Sequence, residues 1–313
     1  AESNRLSLKS AGVPGISVIL PCYQSGRLLG EAVESIRGQP FKCAHEIIVI
    51  DDGSPDAETR NQLDELERLD SVTVIRLDEH AGPQRARNVG LRAAKFDFIL
   101  VMDSDDMLSR DSRTLRFGTY PDRAIEILSR DLNVAFVHST SWMIGGASGP
   151  TDSTYPLTER CIAEKHHASI CIIYRRADAL RAGLYDERIR KWQDWSFAAG
   201  LLSSRRRAGM SNEIVFFPEA YYLYRLHEKG GRISFSTCSE LEMVKLTVAS
   251  HPEIFKLYFP DLKSPELEQR VLSRKPRFFR TLKFISKGNP RALPRWLRRR
   301  LVERVTGGQH LGT

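Results

Sequence analysis

Residues 98–108 read Phe-Ile-Leu-Val-Met-Asp-Ser-Asp-Asp-Met-Leu, an unbroken apolar run that stops at three carboxylates, Asp103, Asp105 and Asp106. The run Phe98 to Met102 predicts a strand buried on both faces. Three acids so close together repel one another, so the cluster is easier to hold when a divalent cation or the hydroxyls of a ligand take up its charge. Asp103 and Asp105 stand two residues apart, which in extended backbone puts both side chains on one side. A solvated Asp-rich turn that merely ends the strand is the other reading of these residues.

The stretches before it repeat the pattern. Ile16 to Leu20 reads as a strand closed by Pro21, and Arg27 to Arg37 carries Leu28, Leu29, Ala32, Val33 and Ile36 at helical spacing. Glu46 to Ile50 predicts a second strand ending at Asp51-Asp52-Gly53-Ser54, and residues 56–69 a helix. Val72 to Leu77 follows as a strand and Pro83 to Lys95 as a helix. Strand and helix alternate throughout, which implies a mostly parallel, Rossmann-like α/β sheet with helices on its faces and ligands beyond the carboxyl ends of its strands. All three polar clusters, at Pro21-Cys22-Tyr23, Asp51 to Ser54 and Asp103 to Asp106, fall at such ends.

Neither GxGxxG nor GxxxxGK[ST] occurs, so a phosphate would be held by cations rather than by a glycine loop. Arg85 and Arg87, near the head of the helix that follows Gly82, are candidates. The 313 residues suffice for one large domain with an appendage, and composition is that of a globular protein, 41% hydrophobic and 27% charged. A formal net charge of +8 and a pI near 9.3 favour an anionic partner without choosing it. Five scattered cysteines without a CxxC pair argue against a disulfide frame or a zinc site. With no apolar run near the roughly 18 residues that span a bilayer and no signal-like leader, the expected compartment is the cytoplasm.

Taken in order and spacing, Ile16-Ser-Val-Ile-Leu-Pro-Cys-Tyr23, Glu46-Ile-Ile-Val-Ile-Asp-Asp-Gly-Ser54, Ala86-Arg-Asn-Val-Gly90 and Met102 to Leu108 resemble the inverting family 2 glycosyltransferases of GT-A fold. The resemblance is dense over the first third of the chain and thins towards residue 235. It implies that Pro21 and Tyr23 border a nucleotide base, that Asp51 accepts from a ring N–H of that base, and that Arg87 contacts the diphosphate. Asp103 and Ser104 would lie by ribose and sugar, and Asp105 would bind Mn2+ or Mg2+.

Later residues fit more loosely. Residues 122–131 predict a helix and Val134 to Ser139 a strand. Gly183-Leu-Tyr-Asp-Glu187 and Lys191-Trp-Gln-Asp-Trp195 resemble the family's turn and following acidic pair, whose second acid is the catalytic base. Asp194 takes that place, with Gln193 where the first acid is usually Glu. A helix N-cap is the plain structural alternative for Asp194. Tyr222-Leu-Tyr-Arg-Leu-His227 resembles the Tyr-Arg-x-His signature, which implies that His227 binds metal or phosphate and that Arg225 helps neutralise the diphosphate. Paired glycines in Glu228 to Ser234 suggest a loop that closes over the donor.

The expected organisation is a polar leader (1–14), a GT-A catalytic domain (15–236, with a nucleotide-sugar half at 15–109 and an acceptor half at 110–236) and a helical basic extension (237–313). Arg274 to Arg304 mixes twelve bases with aromatics, a pattern that fits peripheral contact with the inner membrane face or packing on the catalytic domain. The expected activity is metal-dependent, inverting sugar transfer from a nucleoside diphosphate donor. UDP is the first choice, with dTDP or GDP open, and the acceptor hydroxyl is on a glycan, a lipid-linked intermediate or a small molecule. Two alternatives remain at this point: a nucleotidyltransferase of similar architecture, and an RNA-binding protein acting through the tail, although no nucleic-acid module is recognisable.

Overall fold

The three-dimensional structure is a computed structural model and describes residues 14–151, 153–165, 170–227 and 238–273. Its first half is built from β1 (Gly15–Cys22), α1 (Arg27–Arg37), β2 (Ala44–Asp51), α2 (Ala57–Leu66), β3 (Val72–Arg76), α3 (Pro83–Ala93) and β4 (Phe98–Val101). β1 and β4 are buried along their whole length, as a strand covered on both faces must be. Helix α1 buries Leu29, Ala32, Val33 and Ile36, one stripe at helical spacing. Asp56 caps α2 by accepting from the Thr59 N–H, and Pro83 opens α3 with its backbone already suited to a first turn.

These strands pair in parallel in the order β3-β2-β1-β4, with Cys22 beside Asp51 and Ile19 beside Val101. One edge of the sheet therefore collects the ends of β1, β2 and β4. Gly90 lets α3 settle on it, because a Cβ there would stand 2.5 Å from Ile19 Cγ2 and 2.7 Å from Ile50 Cδ1.

The second half comprises β5 (Met107–Leu108), α4 (Ser112–Leu115), α5 (Tyr120–Arg130), β6 (Val134–Gly145), β7 (Gly149–Pro150), α6 (Glu159–Ala163), β8 (Ile173–Arg175), α7 (Arg176–Ala182), α8 (Gln193–Arg207) and β9 (Glu213–Leu226). Beyond β4 the sheet turns mixed: β8 is antiparallel to β4 and β6, β9 is parallel to β6, β5 is antiparallel to β9, and β7 hangs on β6. The parallel sheet expected from the alternation is thus the β3-β2-β1-β4 part. Five residues join β4 to β5, yet β8, β6 and β9 lie between them in the pairing order. At about 4.8 Å per strand that distance leaves no slack for the turn at Asp103 to Asp106, so the sheet curls.

Three more helices, α9 (Glu240–Ser250), α10 (Pro252–Tyr258) and α11 (Glu266–Leu272), complete the described chain. They pack against the body through α8: Thr247 Oγ1 donates to Ser196 Oγ at 3.1 Å, Ser203 Oγ to the His251 carbonyl, and the Phe255 ring meets Trp195 edge-on. The polar leader up to residue 13, the glycine-paired loop at 228–234 and the basic run at 274–304 lie outside the described residues. Among the described residues no helix is long and apolar enough to cross a membrane.

Candidate active site

The ends of β1 and β2 form one wall. Pro21 is buried, while Tyr23 is 39% exposed and stacks on His80 with ring centroids 3.9 Å apart. Asp51 Oδ1 accepts from the Ser54 N–H at 3.0 Å. Asp52 accepts from the N–H groups of Ala81 and Gly82 at 3.0 and 2.8 Å, and its Oδ2 lies 2.8 Å from His80 Nδ1. Asp52 thereby holds the loop that carries His80 against β2. Gly53 permits the close approach: its φ is +73°, and a Cβ would come within 3.0 Å of the Glu79 and His80 backbone.

A line of contacts leads from this wall to the acids after β4. The Gln24 N–H donates to Ser54 Oγ at 3.0 Å, and the hydroxyls of Ser25 and Ser104 share a hydrogen bond of 2.7 Å. Ser104 is buried, with its hydroxyl turned to Ser25.

Asp103 to Asp106 is a turn, closed by the Asp106 N–H on the Asp103 carbonyl at 3.1 Å, and not the extended backbone that its two-residue spacing implied. The turn nonetheless gathers the acids: Asp103, Asp105 and Asp106 each bring a carboxylate oxygen within 4.8 Å of the others. Burial pushes the Asp103 pKa up to about 6; Arg87 opposes the rise, and Asp105 and Asp194 add to it. Burial likewise raises Asp106 well above the ordinary carboxylate range, with further upward pressure from Asp103 and Asp105. Both Asp106 oxygens are engaged, one by the Tyr222 hydroxyl and one by the Arg225 N–H, each at 2.7 Å.

The end of β9 closes the acid turn from the other side. Arg225 Nε donates to the Asp105 carbonyl at 2.8 Å, and its Nη2 pairs with Glu31 at 2.6 Å. His227 Nε2 stands 2.7 Å from Asp105 Oδ2. A hard cation suits carboxylates so gathered, and Asp103, Asp105 and Asp106 could hold one, with His227 beside Asp105. Beside them lies an open cavity of about 480 Å³, walled by Ser25 to Leu28, the Gly145-Gly146 turn and Arg225 to His227.

Asp194 enters from the first turn of α8. The N-cap of that helix is Trp192, in left-handed backbone at φ +60°, so capping is not what the Asp194 side chain does. Burial raises its pKa and Arg87 pulls it back. The Arg87 guanidinium, only 3% exposed, lies between the two carboxylates, with Nη2 2.9 Å from Asp103 and Nη1 3.5 Å from Asp194. Gln193 Oε1 also accepts from Nη1, at 3.4 Å. Arg85, by contrast, is at the surface and pairs with Glu79.

The structure therefore brings Arg87, Asp103, Asp105, Asp194, Arg225 and His227 into one connected cluster, with Pro21, Tyr23 and Asp51 on the adjoining wall. Several contributors carried little signal in the sequence. Asn88 clasps the turn before α8, donating to the Tyr185 carbonyl and accepting from its N–H, both at 2.9 Å. Tyr222 and Glu31 fasten Asp106 and Arg225 across long stretches of chain. Asn88 stands inside the Ala86 to Gly90 motif, which was its one clue; Asp52 was visible as an acid at a strand end, and His80 had no such mark.

The chain is similar to known proteins. Residues 17–137 match the family model described as Glycosyl transferase family 2. Glycosyltransferase GlyG of Streptococcus pneumoniae is 36% identical over 97 residues, covering 31% of this chain and 32% of GlyG. The minor teichoic acid biosynthesis protein GgaA of Bacillus subtilis is 29% identical over 215 residues, 64% of this chain and 46% of GgaA. The chain thus spans less than half the length of either relative. The crystal structure of S. aureus TarS 1-349 in complex with UDP-GlcNAc shares the GT-A-like fold, with a TM-score of 0.61 at 21% identity over 86% of this chain and 73% of that one. Residues 17–137 thus carry the sequence pattern of glycosyl transferase family 2.

Proposed function

We propose that the protein is a metal-dependent inverting glycosyltransferase that moves a sugar from a UDP-sugar to a hydroxyl of a glycan-type acceptor. The observation that carries this reading is the Arg87 bridge, which sets the acid turn after β4 and the head of α8 on one cleft, 2.9 and 3.5 Å from a single guanidinium. UDP is favoured as the carrier because the fold is shared with TarS, which has been crystallised with UDP-GlcNAc and with UDP. Tyr23 and Asp51 would then take the base, by ring contact and by accepting its N–H.

Asp105 and His227 would hold Mn2+ or Mg2+, and a bound cation there supplies compensation for the negative charge that grows on a departing diphosphate. The chain's own residues do the rest. Arg225, anchored by its backbone to Asp106, brings a second positive charge to the same side. Asp194 accepts the proton of the acceptor hydroxyl as its oxygen bonds to the anomeric carbon. The bond from that carbon to the diphosphate oxygen breaks, and nucleoside diphosphate leaves from the opposite face. Burial raises the Asp194 pKa, which makes it a stronger base than a solvated aspartate, and the Arg87 charge opposes that rise.

Screening nucleotide sugars with Mn2+, while following released nucleoside diphosphate, tests the proposal. Transfer with inversion at the anomeric carbon is the expected result. In Asp194→Asn, transfer should fall by about 1,000-fold or more, at the upper part of the range for a lost general base, while UDP affinity holds. Undiminished transfer by that variant would remove Asp194 as the base.

A further inference from the structure

We infer that Arg87 is a positioning residue, which fixes the donor-side Asp103 and the acceptor-side Asp194 at one spacing instead of binding the donor diphosphate itself. The inference rests on the functional reading above and concerns the same cleft. Its basis is where the guanidinium sits. The Arg87 side chain is 3% exposed, whereas the carboxylates it holds are 37% and 34% exposed. The cation thus lies beneath the two acids, and the acids face the cleft.

Its donors are accounted for in the same way. Nη2 donates to Asp103 and Nη1 to Gln193, while Asp194 Oδ1 is held by charge alone, 3.5 Å from Nη1 and without a hydrogen-bond partner. The Nε is buried without a hydrogen-bond partner, and the Tyr185 ring lies against the guanidinium at 5.2 Å. A phosphate arriving from the cleft would have to displace one of the carboxylates to reach it. Breaking a buried charge pair on one side leaves the other charge uncompensated, so such an exchange is disfavoured.

Gln193 belongs to the same device. Its amide oxygen and the Asp194 carboxylate approach the same Nη1, at 3.4 and 3.5 Å. A second acid here would compete with Asp194 for that donor, whereas a neutral amide accepts without adding charge. One guanidinium is thereby left with two carboxylates to hold rather than three. The planar fork of arginine suits this work, since it presents N–H groups in fixed directions to two acids at once, which a lysine ammonium does not do.

The test separates binding from turnover. Arg87→Lys and Arg87→Gln are compared with the wild type for kcat and donor KM, with UDP affinity in Mn2+ measured by calorimetry and folding checked by thermal unfolding. For Arg87→Lys, kcat should fall by about 100-fold, the loss typical of a reacting group displaced by about 1 Å, while UDP affinity and donor KM stay within about threefold. Arg87→Lys should retain more kcat than Arg87→Gln, because it keeps a cation under the acids. If Arg87→Gln does not fold, Arg87→Lys carries the test.

An active wild type whose Arg87→Lys variant loses UDP affinity in step with kcat would overturn the inference alone, as would an unchanged kcat. A wild type that turns over no nucleotide sugar would remove the functional reading and this inference with it.

Discussion

Two acidic clusters, Asp51-Asp52 and Asp103 to Asp106, end strands on either side of β1 and look alike in the sequence, but the structure treats them differently. In the first, N–H groups of Ser54, Ala81 and Gly82 converge on the carboxylates, and His80 closes one of them. Asp52 is thereby satisfied by the loop it builds, whereas Asp51 takes a single N–H. In the second, three carboxylates crowd within 4.8 Å, and burial has raised the pKa of two of them. Only Asp106 spends both oxygens inside the protein, on Tyr222 and on Arg225. The number of N–H donors aimed at an acid, more than its place at a strand end, separates a loop-building carboxylate from one left to meet a ligand.

The contrast breaks most readily on a pair of substitutions. Asp105→Asn should cost the Mn2+-dependent part of UDP affinity about 100-fold or more, roughly 3 kcal/mol. Asp52→Asn should leave that metal-dependent part in place and instead lower stability by about 1–3 kcal/mol, since backbone donors lose a charged acceptor. Calorimetry with and without Mn2+ and urea unfolding read the two effects separately. Equal loss of metal-dependent binding in both variants would erase the distinction.

A smaller effect follows from pH. The Asp103 pKa is raised in the folded protein to about 6, so its protonated form is the one the fold prefers. Its contribution to stability is full below the unfolded value, about 3.9, and is lost as pH rises through the folded value. The ion-free protein should lose stability from this cluster between about pH 4 and about pH 6. Mn2+ should then raise the melting temperature more near pH 7 than near pH 4.5, because Asp103, whose charge it offsets, is ionised chiefly at the higher pH. A gain from Mn2+ equal at both ends would count against charge repulsion as the reason the cluster needs an ion.

How much of this could be read beforehand depended on sequence distance. The first half was legible because each strand and its helix follow within a short span, and α1 falls at Arg27–Arg37 as its apolar spacing predicted. The β9 strand was not legible as a strand, only the motif at its end was, since Glu213–Leu226 alternates poorly, contains Pro218 and is mostly half-buried. The helical placing of Arg87 was read correctly, but a helix head suggested an anion from solvent. Its partners are acids of the chain itself, one of them close in sequence and the others more than a hundred residues on, and periodicity carries no information about such pairs. The same holds for Tyr222, whose bond to Asp106 spans 116 residues.

Tyr222 offers the finest test, because it touches the one acid of the second cluster that behaves like those of the first. Its hydroxyl donates to Asp106 Oδ2 at 2.7 Å and accepts from the Asp103 N–H at 3.3 Å. Tyr222→Phe removes both bonds inside a fully buried setting, which should cost about 1–3 kcal/mol of stability in urea unfolding. The Arg225 N–H still holds the other Asp106 oxygen, and His227 still faces Asp105, so metal-dependent UDP affinity should change by no more than about threefold, within roughly 0.7 kcal/mol. The opposite outcome, intact stability with metal-dependent binding lost, would move Asp106 from the acids that build the turn to those that meet the ligand.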